Sequence, residues 1–171
     1  VQYQEGLRIM SSFHGNDHPD VATTLNNIGI IYSNQGKCDD ALVQYEEALR
    51  IRRQKLGDDH PDVAKSLGNM ANVYDKQGKS KEALDCCQDV LRILRSIHGN
   101  DHIDVAKTVE SIGNICLEQG KFAEALANYE EALRVKRKVH GGNDHPDVAA
   151  SLINMGVIYK NQGKFKEALD N

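Results

Sequence analysis

The 171-residue sequence contains no tryptophan, three phenylalanines, three prolines and four irregularly spaced cysteines. Each scarcity excludes something. So little proline, beside 40% hydrophobic and 27% charged residues, argues against a disordered chain and for a folded, helix-rich one. Cys38, Cys86, Cys87 and Cys116 lack the density and regular spacing of a disulfide framework, so free thiols are expected. There is no run of 18 apolar residues and no charged-then-apolar leader, which supports neither membrane insertion nor secretion and makes the cytoplasm the expected compartment. Lys and Arg total 21 against 25 Asp and Glu, a net charge of −4 without a basic cluster. Such a surface disfavours nucleic acid, whose phosphates require clustered cations.

What the chain does contain is a repeat. His18-Pro19-Asp20-Val21-Ala22 returns as His60-Pro61-Asp62-Val63-Ala64, His102-Ile103-Asp104-Val105-Ala106 and His145-Pro146-Asp147-Val148-Ala149, at intervals of 42, 42 and 43 residues. Gln35-Gly36-Lys37 recurs in step at Gln77-Gly78-Lys79, Gln119-Gly120-Lys121 and Gln162-Gly163-Lys164, the extra residue being a glycine of the Gly141-Gly142 pair. Two independent markers with one period point to a stacked-repeat architecture.

Each unit reads as two helices. The His-Pro step opens the first, helix A, because proline at the first helical position wastes no N–H and has a helical φ. An Asp follows in the first turn, where the helix dipole favours it. Glycine of Gln-Gly-Lys closes the helix by accepting a left-handed conformation. The second, helix B, is expected from about Asp39 to Lys55 in the first complete unit, with Ala41, Leu42, Tyr45, Ala48, Leu49 and Ile51 on one stripe. A short turn makes the pair antiparallel. On helix A, Leu25, Ile28, Gly29 and Tyr32 recur as Leu67, Met70, Ala71 and Tyr74, and as Leu152, Met155, Gly156 and Tyr159, marking a buried face. Small residues at Gly29, Ala71, Gly113 and Gly156 are expected to admit helix B closely, with Tyr45, Cys87 and Tyr129 filling the wider gap.

The order from Leu67 through Ala71, Tyr74, Gly78 and Ala83 to Val90 resembles the tetratricopeptide repeat (TPR). The 42-residue period, with Tyr45-Glu46-Glu47-Ala48-Leu49-Arg50-Ile51 and Asp59-His60-Pro61-Asp62-Val63-Ala64, is similar to the kinesin-light-chain class. The resemblance implies an all-α fold, a right-handed α-solenoid of antiparallel helix-turn-helix repeats, with helices A lining a concave groove. The expected divisions of a single array are 1–14 as a lone helix B, complete repeats over 18–57, 60–99 and 102–141, and a truncated repeat over 145–171.

By the same resemblance the groove-facing positions are Asn27 in the first unit, Lys65, Asn69, Asn72 and Lys76 in the second, Lys107, Ser111 and Asn114 in the third, and Asn154 in the fourth. Asn27, Asn69 and Asn154 share one place, and an amide side chain can pair with both the C=O and the N–H of an extended peptide. Lys65 and Lys107 stand one turn before Asn69 and Ser111 and can attract a carboxylate. In related repeats such a Lys and Asn belong to a clamp for acidic groups, and kinesin light chains bind cargo peptides with acidic residues around an aromatic. The implied partner is a peptide segment of another protein, acidic in character. The competing reading is a structural or self-assembling array whose polar face is merely solvated.

Catalysis is not expected. No nucleophile, acid and base cluster breaks the repeat symmetry, no glycine-rich phosphate loop follows a strand, and no cofactor is implied. The pairs His14/His18, His98/His102 and His140/His145 have spacings met in zinc sites, yet each spans a turn without a nearby cysteine and reads as part of that turn, so no metal is assigned. Cys87 and Cys116 occupy slots filled elsewhere by Tyr and read as buried hydrophobes. Glu46/Arg50 and Glu130/Arg134 are expected as surface pairs along helix B. Val1 to Phe13 matches a helix B, with Tyr3, Leu7 and Ile9 aligned to Tyr45, Leu49 and Ile51. Val1 and Asn171 both fall mid-pattern, so the chain is expected to be excised from a longer one. The uncapped ends suggest end-to-end self-association.

Overall fold

A computed structural model describes residues 2–170 and, among them, contains helices and no strand. In order these are α1 (Gln2–His14), α2 (Pro19–Asn34), α3 (Cys38–Leu56), α4 (Pro61–Lys76), α5 (Ser80–His98), α6 (Ile103–Glu118), α7 (Phe122–His140), α8 (Pro146–Asn161) and α9 (Phe165–Asp170). The chain forms two compact units, Val1–Ile93 and Leu94–Asn171. In the first, α2 packs on α1 and α3, and α3 on α4; in the second, α6 packs on α7, α7 on α8, and α8 on α9.

Capping explains where the helices begin and end. His18, His60, His102 and His145 are N-cap residues in extended conformation, each accepting through Nδ1 the backbone N–H two residues on, at 3.1–3.2 Å. The imidazole thus takes the place usually held by Ser or Asp. Ile103 can replace proline at the start of α6 because its cap is intact. At the other end Gly36 has φ 75°, and two hydrogen bonds wrap back: Gly36 N–H to the Ser33 carbonyl at 3.1 Å and Lys37 N–H to that of Tyr32 at 2.9 Å. The same double closure ends α4, α6 and α8. Lys37 and Lys79 then lay their ammonium groups 5.7 and 6.0 Å from the ring centres of Tyr32 and Tyr74.

Inside each of two hairpins a tyrosine fills the space a glycine leaves. A Cβ added to Gly29 would lie 2.5 Å from Tyr45 Cε1, and one added to Gly113 would lie 2.8 Å from Tyr129 Cε1. The second repeat solves the same contact differently, with Ala71 on helix A and the smaller Cys87 on helix B, both buried. In the first unit Val21, Ala22, Leu25, Ala48 and Ile51 form one cluster, against which Leu7 and Met10 of α1 pack. Tyr3 and Ile9, aligned with buried Tyr45 and Ile51, are themselves about half exposed.

Polar groups cross between repeats at two buried joints. In the first unit the Arg52 guanidinium, 2% exposed, donates to Ser66 Oγ at 2.7 Å and to the Asp62 carbonyl at 3.0 Å, with Asn26 Oδ1 at 3.5 Å. Burial pulls its pKa below the ordinary value, and the Asp62 charge opposes that shift. In the second unit Lys136, 2% exposed, donates to Glu110 at 2.8 Å and to Ser151 Oγ at 2.9 Å, and Ser151 donates in turn to Glu110 at 2.9 Å. The places of Asn26 and Arg52 are held in the next repeat by Gly68 and Leu94. Polar and apolar versions therefore alternate along the sequence.

The surface pairing along helix B differs from expectation. Arg50 pairs with Glu47, one turn back, and with Asp17 of the preceding linker at 2.5 Å, in place of Glu46. Arg92 repeats the linker contact with Asp59, and Arg134 pairs with Asp101 in place of Glu130. The linker carboxylate is the better partner because it ties helix B to the start of helix A, whereas Glu46 would bind Arg50 only along its own helix.

These contacts set measurable stabilities. Gly29→Ala lowers unfolding free energy by about 1–3 kcal/mol through overpacking; adding Tyr45→Cys, which recreates the Ala71 and Cys87 pair, gives a double variant less destabilised than the sum of its singles in urea titrations. Arg52→Ala, which takes the buried donor from Ser66 Oγ and the Asp62 carbonyl, costs about 1–3 kcal/mol. Asn26→Gly with Arg52→Leu, the combination present at Gly68 and Leu94, recovers most of that loss by the same measurement.

Candidate functional site

The polar residues of helix A lie on two faces, one in each unit. In the first unit Asn27 of α2 and Asn69 of α4 are half-buried, while Lys65, Asn72 and Lys76 of α4 are exposed. Direct contacts tie α4 to α2: Asn69 Nδ2 donates to Asn26 Oδ1 at 3.0 Å, and Lys76 Nζ to Ser33 Oγ at 3.2 Å. Because Asn26 Oδ1 also faces Arg52, Asn69 is the outer end of a chain of polar contacts that starts at a buried cation. Its amide is held by one N–H, leaving a second N–H and a carbonyl oxygen with pairing capacity.

The second unit is built otherwise. Lys107, Ser111 and Asn114 of α6 are exposed and Asn154 of α8 is half-buried. Ser111 turns its hydroxyl back to the Lys107 carbonyl at 3.1 Å, and Asn114 accepts the Tyr129 hydroxyl at 2.6 Å. Asn114 therefore serves the hairpin core. The neighbouring charge is Glu110, locked to Lys136 and Ser151. Asn26, Arg52, Ser33 and Glu110, which brace these faces, escaped the sequence reading. Their signal was available: where the helix A place holds Asn26 or Glu110 the helix B place is cationic, and where it holds Gly68 the helix B place is Leu94.

The remaining reactive groups fit packing. All four cysteines are free, and Cys87 and Cys116 are buried. Burial pushes the Cys86 and Cys87 thiols up to about 11, and it pushes the Tyr129 hydroxyl up to about 12. Thiols so shifted are poor nucleophiles at neutral pH. No described helix is long and apolar enough to cross a membrane. An apolar cleft of about 640 Å³ lies between α8 and α9 beside exposed Ile153, Phe165 and Leu169. With thiols near 11, only about 0.1% is thiolate at pH 8, so Cys86 and Cys87 are expected to resist iodoacetamide in the native protein and react readily in denaturant, as read by mass spectrometry. The same raised values mean that their contribution to stability is intact below about pH 9 and falls as pH climbs through about 11, which urea titrations across that range would register.

Comparison with known proteins places the fold. No curated protein matches the chain. BtubC (BKLC) from P. vanneervenii superimposes with a TM-score of 0.87 at 24% identity, over 98% of this chain and 66% of that one. Two crystal structures of a putative kinesin light chain from Podosopora anserina with nearly identical TPR-like repeats, one of them a substituted variant, give TM-scores of 0.83 and 0.84 at 19% identity, over 98% of this chain and 79% of theirs. The chain thus spans just under two thirds of BtubC, and at these identities the likeness is one of fold, that of an all-α TPR solenoid. The tetratricopeptide repeat model matches residues 2–54, 29–96, 69–138 and 104–171, and the chain belongs to the tetratricopeptide repeat family.

Proposed function

We propose that the chain is a protein-interaction scaffold that holds a short peptide segment of a partner on the polar faces of its first helices, and that it works by binding and not by catalysis. The observation that carries this reading is the bracing of Asn69. A side chain immobilised through Asn26 from the buried Arg52 has already surrendered rotamer freedom, so a peptide that pairs with its remaining N–H and carbonyl loses less entropy on docking. Asn27 lies on the neighbouring helix α2, and Lys65 and Lys76 supply positive charge on α4. An extended segment carrying a carboxylate matches that set, because backbone pairing grips without reading sequence while the ammonium groups select acidic side chains. Lys107, Ser111, Asn114 and Asn154 give the second unit a comparable face, though Ser111 and Asn114 are engaged within their own repeat. Membership of the repeat family and four unpaired thiols are consistent with such a scaffold in the cytoplasm.

Selection of binders from a random peptide library on the intact chain provides the probe. Calorimetry with the best binder is expected to show acidic peptides whose affinity falls as salt rises. Asn27→Ala, Asn69→Ala and Lys65→Ala each remove one hydrogen bond to the peptide and weaken binding about fivefold, corresponding to about 1 kcal/mol per bond. Unchanged affinity in all three variants, with melting also unchanged, would remove this face from consideration.

A further inference from the structure

Two surfaces of the chain, one in each unit, are complementary halves of a hairpin. α8 is a helix A on which α9, with 6 residues against the 19 of α3, α5 and α7, covers only part of the face that a helix B covers elsewhere. α1 is a helix B that packs on the helix A after it, with none described before it. In the order of the repeat α9 holds the places of residues 38–43 of α3, and α1 those of 44–56. A second α1 on α8 would therefore abut α9 and not compete with it.

Three open features of α8 and its linker match three of α1. Gly156 stands at the place of Gly29 and Gly113, which the rings of Tyr45 and Tyr129 cover, but a Cβ added to Gly156 would meet only the Ala168 carbonyl oxygen, at 3.6 Å. Tyr3, at the place of those two tyrosines, is 49% exposed where they are at most 2% exposed. The second match is one of charge. Linker residues Asp17, Asp59 and Asp101 pair with Arg50, Arg92 and Arg134 on helix B of the hairpin that follows. Asp144, the fourth of that series, is exposed, and no described residue forms an ion pair with it. Arg8, at the place of Arg50, holds Glu5 at 2.6 Å as Arg50 holds Glu47 at 2.7 Å, yet reaches no linker aspartate. The third match is one of polarity. Exposed Ile153 stands where the other hairpins have Asn26, Gly68 and Glu110, and Met10 stands where they have Arg52, Leu94 and Lys136. Cations serve Asn26 and Glu110, whereas an apolar Met10 suits Ile153.

We propose that α1 of a second copy of this chain docks on α8 and completes the fourth hairpin. Tyr3 of that copy enters the Gly156 notch, Met10 covers Ile153, and Arg8 reaches Asp144. Ile9 settles on Ala149 and Leu152 as Ile51 does on Ala22 and Leu25; Ala149 is exposed while Ala22 is fully buried. The contact continues the packing of helix A on helix B, the most extensive in each unit. An unrelated apolar helix would fill the cleft without supplying the ring, the cation and the thioether at these three places. Because the two surfaces differ, the contact is heterologous, and each chain can both offer α1 and receive one.

Sedimentation velocity of the intact chain over a dilution series is expected to show a mass above that of one chain, rising with concentration. Gly156→Ala is the most selective variant. Its methyl has room in the single chain but meets the incoming Tyr3 ring, as a Cβ on Gly29 would lie 2.5 Å from Tyr45, so association weakens at least about tenfold. Its thermal melt, read at a dilution where the parent is monomeric, stays at or above that of the parent because alanine favours a helix over glycine. Arg8→Asp and Asp144→Arg each lower the associated fraction, and an equimolar mixture of the two variants regains it, since the exchanged charges then face one another across one joint. A chain that stays monomeric at every concentration, which would leave α8 to a helix of another protein, overturns the proposal. So does undiminished association of Gly156→Ala, or a mixture that associates no better than either charge variant alone.

Discussion

The separation of the paired helices rests on an aromatic ring laid where a glycine has no side chain. Tyr45 against Gly29 and Tyr129 against Gly113 set how closely helix B can approach helix A, and the other inward residues are sized to that distance. Ala41, Ala48, Ala125 and Ala132 are fully buried beside rings that need the room, while Ile51 and Val135 fill the far side of the stripe. The contact is mutual. A larger residue on helix A needs a smaller one on helix B, and Ala71 with Cys87 meets that condition.

Polarity at the joints adds direction to this packing. Hydrophobic faces tolerate sliding, whereas Arg52 has to reach Ser66 Oγ and the Asp62 carbonyl together, and Lys136 has to reach both Glu110 and Ser151. A buried cation that misses its acceptors suffers heavy desolvation, so the joint has one acceptable register. The half-buried Asn69 amide inherits that fixity through Asn26, which links the internal energetics of the first unit to the face proposed for peptide docking.

Much of the fold was legible because the repeat prints its punctuation four times. The His-Pro and Gln-Gly-Lys markers located the helix ends to within a residue or two, and the apolar stripe of helix A named Leu25, Ile28, Leu67, Met70 and Met155, which are buried, beside Tyr32, Tyr74, Leu152 and Tyr159, which are half-buried. The histidine's role was less visible. Spacing identified it with the turn, but that Nδ1 caps the helix depends on ring orientation, which no linear pattern encodes. For the polar face the limit was different in kind. Recurrence at Asn27, Asn69 and Asn154 marked a common place, yet the hydrogen bonds that occupy Asn69, Ser111 and Asn114 come from residues as far away as 43 positions, and whether such groups are engaged is decided by neighbours that periodicity does not rank. Arg50 made the same point on the outer surface, where a linker aspartate took precedence over the residue four places earlier.

The alternation of Arg52, Leu94 and Lys136 carries a consequence for how such a chain can change in length. A cationic seam is matched by an Asn or Glu in the same hairpin as the cation, Arg52 with Asn26 and Lys136 with Glu110, and the aliphatic Leu94 by Gly68 in its own hairpin, so each hairpin carries its own match. The acceptor on the following helix A is a hydroxyl, Ser66 or Ser151, and Thr108 holds the equivalent place of α6. A cut between hairpins therefore keeps each cation with its acceptors, whereas a cut inside a hairpin separates them, and this marks where an engineered splice would heal cleanly.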